Sequence, residues 1–148
     1  MTIAHIYNYE PASSVAAKLN TLIDLANTND QDTYIADTNL SAMKVVRIET
    51  NGKVGYASND ELEDANLVLG ITATSVIADG SVSVYKYGRV NNSAFSGFSI
   101  GDTIYVGVNG ELTAIAPTAP GAAHLTIVGL ITATDTLDIN IRQSIILN

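Results

Sequence analysis

Two histidines, His5 and His124, and one acidic run, Asp60, Glu61, Glu63 and Asp64, are the side chains of this 148-residue sequence best suited to metal or proton chemistry. Neither histidine has another His or a carboxylate at a ligand-like local spacing, so both are expected at surface or interface positions rather than as ligands or bases. The acidic run offers hard oxygen donors suited to Ca²⁺. It lacks the Asp-x-Asp-x-Asp-Gly pattern with a later bidentate Glu, and reads as a solvated loop. The glycines at 101, 107 and 110 form neither GxGxxG nor a phosphate-binding loop, and their Asn-Gly setting is explained by turn geometry. Serines are numerous, but GxSxG is absent and no triad motif is recognisable. With no Cys, thiol nucleophiles and disulfides are excluded. No catalytic residue, cofactor or metal site is therefore assigned, and an enzyme is not expected.

Charge narrows the partners. Seven Lys and Arg against fifteen Asp and Glu give a formal charge of −8, which repels phosphate backbones and anionic membranes. Neither nucleic acid nor a membrane is expected as a partner. The stretch MTIAHIYNYEPASS has no basic region followed by an apolar core, and later apolar runs are too short or too broken to cross a bilayer, so a soluble chain is expected. Only 15% of residues are charged while 47% are hydrophobic, which suits a β-rich protein whose exterior is partly covered by copies of itself or by a partner.

The elements that must position these residues fall into four segments. Residues 1–12 alternate as an extended arm in which Ile3, Ile6, Tyr7 and Tyr9 supply large apolar or aromatic side chains. Such an arm either adds an edge strand to its own domain or lies on another protein. Residues 13–29 read as an amphipathic helix with Val15, Leu19, Leu22 and Ala26 at spacings of 4, 3 and 4. That stripe either packs on the chain's own β-domain or forms the seam of a short bundle of identical chains. Residues 30–43 are polar and read as a connector, and 44–148 as strands and turns.

Within 44–148 the pattern occurs twice. Residues 44–90 and 102–148 are equal in length and agree in element order, with Asn51-Gly52 matched by Asn109-Gly110 and GITAT matched by GLITAT. Each Asn-Gly is expected to supply the two positive-φ residues of a tight hairpin turn. Two repeats are too few for a solenoid or propeller. The expected fold is mainly β: a small barrel or sandwich of about eight strands in which each unit covers the edges the other would expose.

In SVSVYKYGRV, strict alternation places Tyr85, Tyr87 and Arg89 on one face and Val82, Val84 and Val90 on the other. The aromatic and arginine face fits an intersubunit contact, a cross-strand pair covering its own sheet, or a platform for a sugar ring.

The pattern FSIGDTIYVGVNGELTAIAP followed by VGLITATDTLDINI resembles the small β-domains of capsid decoration, or cement, proteins of tailed bacteriophages. Gly101, Asp102, Tyr105, Val106, Asn109 and Gly110 carry the likeness, with Val128, Gly129, Ile131 and the alternating Leu137, Ile139 and Ile141. The resemblance covers residues 44–148. It implies a homotrimer on the virion exterior, assembled in the bacterial cytoplasm, that binds the major capsid protein and stabilises the head. On that reading Val15, Leu19, Leu22 and Ala26 contribute to the trimer core, and Ile3, Ile6, Tyr7 and Tyr9 dock on capsid subunits. Similar domains in virion fibres imply an alternative, a head or tail fibre component that binds a host glycan.

Overall fold

Each repeat opens on a hairpin rich in β-branched residues. In the computed structural model, which describes residues 30–148, the two hairpins occupy opposite ends of one long sheet. The strands are β1 (Asp30–Ile35), β2 (Val45–Ile48), β3 (Val54–Tyr56), β4 (Val68–Thr72), β5 (Ser81–Asn91), β6 (Thr103–Val106), β7 (Leu112–Thr113), β8 (His124–Leu125), β9 (Ile127–Ala133), β10 (Thr136–Asn140) and β11 (Ile145–Ile146). Short 3₁₀ turns lie at Leu62–Asp64 and Ser93–Phe95. The sheet order is β3-β2-β4-β5-β10-β9-β6-β7, which reads as the first unit followed by the second in reverse. The sequence repeat is thus a pseudo-twofold, with the antiparallel β5–β10 pair at its centre. The sheet curls as a half-barrel, so the mainly β expectation holds. The arm (Ile3, Ile6, Tyr7, Tyr9) and the amphipathic helix (Val15, Leu19, Leu22, Ala26) lie outside the described residues.

Two apolar clusters cover the two faces of the first unit. Val45, Ile71, Val90, Phe95, Ile104, Val106, Val128, Ile131, Leu137 and Ile139 fill the space between the curled halves. Behind β2, β4 and β5 lies a smaller cluster of Ala36, Leu40, Val46, Val54, Val82 and Val84. Adjacent residues serve opposite clusters, as Val45 and Val46 do, because successive side chains of a strand point to opposite faces.

The polar segment 30–43 is more than a connector. Its first six residues form β1, which pairs with β5 from Ile35 opposite Ser81 to Asp30 opposite Tyr87. The strand escapes a reading by composition because its side chains are mostly exposed, while Tyr34, Ala36 and Leu40 alone reach the second cluster. Ala36 also bridges in parallel to Val54, so this segment spans from β5 to β3.

Glycine recurs in the matched strands for a shared reason. A Cβ on Gly70 would lie 2.0 Å from the Tyr85 carbonyl oxygen, and one on Gly129 would lie 2.1 Å from that of Asp138. In each unit the strand preceding the central pair approaches its neighbour too closely for a side chain.

The two Asn-Gly turns, by contrast, differ. Asn109 (φ 52°) and Gly110 (φ 79°) both adopt the left-handed conformation that the dipeptide predicts, and Glu111 N–H donates to Val108 O at 3.1 Å. In the first hairpin only Gly52 does so (φ 81°). Glu49 pairs with Lys53 around a three-residue loop in which Gly52 N–H donates to Glu49 O, the arrangement of a type I turn followed by a left-handed residue. The tip of the second hairpin is occupied elsewhere: Gly110 N–H donates to Ala57 O (2.6 Å) and Gly110 O accepts from Val45 N–H (2.8 Å). That turn latches the second unit onto the first across the mouth of the half-barrel.

Candidate functional site

Strand β5 carries the residues for which a surface role was expected, and the structure separates them. Asp30 stands opposite Tyr87 and Gln31 opposite Tyr85, so a bulge falls at Lys86 and reverses the alternation. Tyr85 consequently packs against the main core on the same side as Val90, while Val82 and Val84 belong to the second cluster. The predicted single face of Tyr85, Tyr87 and Arg89 is therefore split. Tyr87 and Arg89 remain exposed beyond the bulge, opposite Asn140 and Asp138 respectively. Lys86 ties the bulge to β1 through Asp32 Oδ2 at 3.0 Å, a bond that raises the pKa of the ammonium, with Tyr34 adding to the effect.

Beyond the bulge the back of the sheet is open. Tyr87, Thr103, Ile127, Gly129, Leu130, Asp138, Asn140 and Arg142 line a groove of about 410 Å³. Its floor exists because Leu137, Ile139 and Ile104 turn inward to the core, which leaves their neighbours Asp138, Asn140 and Thr103 facing out. Tyr87 is 59% exposed and Leu130 44%. The groove combines an aromatic ring, apolar floor and groups that both donate and accept hydrogen bonds.

The polar residues first considered for chemistry lie elsewhere, and two of those expectations are corrected. His124, expected at a surface or interface, is fully buried. Its Nε2 lies 3.0 Å from the Ser58 carbonyl oxygen, so Nε2 carries the proton and Nδ1 accepts from Thr126 Oγ1 at 2.9 Å. Thr126 Oγ1 in turn accepts from Ser144 Oγ (2.6 Å), which accepts from Asn66 N–H (2.8 Å). Every donor along this chain has an acceptor. The hydroxyl that faces the imidazole is that of Thr126, and with Thr126 1% and His124 0% exposed neither group is open to a substrate.

Asp64, expected in a solvated loop, is also buried. Burial pushes its carboxyl upward from 3.8, against the downward pull of Ser58 N–H (2.7 Å to Oδ2) and of Arg47, whose Nη1 lies 2.8 Å from Oδ1. That contact has no aligned hydrogen bond at Oδ1, so the stabilisation there is chiefly electrostatic. Asp60, Glu61 and Glu63 stay exposed as expected. Among the described residues no group of three or more His, Asp or Glu side chains converges as a metal site would require. Nor is any helix among them long and apolar enough to cross a membrane.

A third feature had no signal in the sequence motifs. Val108, Ile115 and Ala116 are exposed beside Pro117 and Ala122 on an open, mainly apolar shelf next to β7. Ile115 is 80% exposed, and β7 ends the sheet order, so that among the described residues one of its edges has no partner strand in the main sheet. No protein family model matches the chain, and no curated protein matches it significantly.

Proposed function

We propose that the chain is a non-enzymatic structural protein of a tailed-phage virion, which decorates the head as a homotrimer and binds the major capsid protein. The observation that carries this reading is the apolar shelf of Val108, Ile115 and Ala116 beside the edge strand β7. An exposed apolar patch next to an open sheet edge is costly to leave in water and suits permanent association with other subunits. The reading also draws on the resemblance of residues 44–148 to decoration proteins and on the sparsely charged surface. Buried polar side chains serve this role by fixing the shape of the subunit, since His124, Thr126 and Ser144 are spent on one another. Attachment at several equivalent points on a shell then gives strong retention from individually weak contacts.

The test is native mass spectrometry on the full chain and on one beginning at Asp30, a start that preserves β1. A trimer that dissociates on truncation supports a seam at Val15, Leu19, Leu22 and Ala26. A trimer that survives truncation but is lost in Ile115→Ser assigns self-association to the shelf. A monomer at all concentrations, together with no binding to capsids lacking decoration protein, overturns the proposal.

A further inference from the structure

We infer that the groove between Tyr87 and Arg142 is a binding site for a neutral saccharide. The inference does not depend on the virion reading. It begins from the unequal backs of the two pseudo-symmetric units. The back of the first unit is apolar, with Val46, Val54, Val82 and Val84, and the segment from β1 to Leu40 covers it. On the back of the second unit stand Thr103, Asp138, Asn140 and Arg142, and no described segment covers it. A face meant for a permanent protein cover would repeat the valines. This one is built for a ligand that is itself polar and arrives from water.

The chemistry of the lining narrows the ligand class. A sugar presents an apolar C–H face and a rim of hydroxyls, and the groove offers a match for both. The exposed Tyr87 ring gives a stacking surface, with Leu130 and Ile127 continuing it along the floor. Asp138 accepts from hydroxyls, Arg142 donates to them, and Asn140 and Thr103 do either. The volume of about 410 Å³ lies within the range of small-ligand sites, roughly 300–1,000 Å³.

Charge around the lining is mixed. Asp138 has Arg142 in the groove and Arg89 opposite it on β5, on a chain that as a whole carries −8. A neutral polyol can hydrogen-bond to both signs of charge without needing a counter-ion of its own. The bulge at Lys86 belongs to this site, because without it Tyr87 would turn to the opposite face.

The experiment is a nuclear magnetic resonance titration of the ¹⁵N-labelled full chain with maltose, cellobiose and lactose, inorganic phosphate being titrated in parallel. The expected result is saturable shifts from at least one disaccharide, confined to amides around Tyr87, Leu130, Asp138 and Asn140. Tyr87→Ala should weaken binding roughly tenfold, the scale of one aromatic contact. Asp138→Asn should weaken it as well and provides a second variant if the first does not fold. Ile115→Ser, on the separate shelf, should bind as the parent does. Failure of all three disaccharides to saturate, shifts that map elsewhere, undiminished binding by Tyr87→Ala or Asp138→Asn, or groove shifts produced by phosphate would each overturn the inference. Loss of self-association in Ile115→Ser with sugar binding intact would separate this site from the proposed assembly role.

Discussion

Replacing Gly110 by Ala should destabilise the protein much more than replacing Gly52 by Ala, although both glycines follow an asparagine at a hairpin tip. Both have positive φ, 79° and 81°, so each alanine incurs the left-handed penalty of about 1–2 kcal/mol. A Cβ on Gly52 meets nothing within 4 Å, and its cost ends there. A Cβ on Gly110 would fall 2.5 Å from Tyr56 Cδ1 and 3.1 Å from Val45 O. Relief requires the tyrosine ring to move, and its hydroxyl accepts a hydrogen bond from Ser41 N–H at 2.8 Å. Overpacking of this kind adds about 1–3 kcal/mol. Gly110→Ala should therefore cost about 2–5 kcal/mol against about 1–2 for Gly52→Ala. With urea slopes of about 1–3 kcal/mol per molar, the two midpoints should differ by about 1 M. The chain has no Trp, so far-ultraviolet circular dichroism or tyrosine emission would follow the transition. Equal losses in the two variants would show that the Gly110 turn is an ordinary hairpin tip rather than a latch, and would refute the account of how the half-barrel is closed.

Three further outcomes are expected. Thr126→Val should cost about 2–4 kcal/mol in urea unfolding, because it removes the acceptor of the Ser144 O–H and the donor to His124 Nδ1 while keeping the volume; a loss under 0.5 kcal/mol would refute the buried chain of bonds. Tyr85→Ala should cost about 3–5 kcal/mol and Tyr87→Ala under about 0.5, since only the first ring packs on the core; thermal unfolding of the pair checks the bulge. Asp64 has a folded-state pKa raised above 3.8, so its native state binds the proton more tightly than the unfolded chain does, and its contribution to stability declines as pH rises through the folded value. The stability of Asp64→Asn relative to the parent should accordingly improve with rising pH over that window, and a flat or opposite difference would show that Arg47 outweighs burial.

Local signals read correctly where the physics was local. Asn109-Gly110 has the backbone its dipeptide dictates, and the matched Gly-Ile-Thr-Ala-Thr and Gly-Leu-Ile-Thr-Ala-Thr segments occupy matched positions in a palindromic sheet. Asn51-Gly52 failed as a two-residue turn because its flanking pair, Glu49 and Lys53, closes a longer loop. Strand β1 was missed because Asp30, Gln31 and Asp32 carry no apolar period. The face shared by Tyr85, Tyr87 and Arg89 failed at one inserted residue, since a bulge leaves no mark in an alternating string.

By itself the sequence determined a cysteine-free, strongly acidic chain with a duplicated β unit, turns at defined places and no contiguous catalytic motif. These properties depend on composition, backbone preference and short-range periodicity. Only the tertiary structure decided that His124 and Asp64 are buried, that the Gly110 turn closes the sheet, and that one back of the sheet is covered while the other holds the Tyr87 groove. Each of those outcomes rests on partners far apart in the chain, such as Ser58 with His124 or Val45 with Gly110, and side-chain burial follows from which distant segment arrives to exclude water.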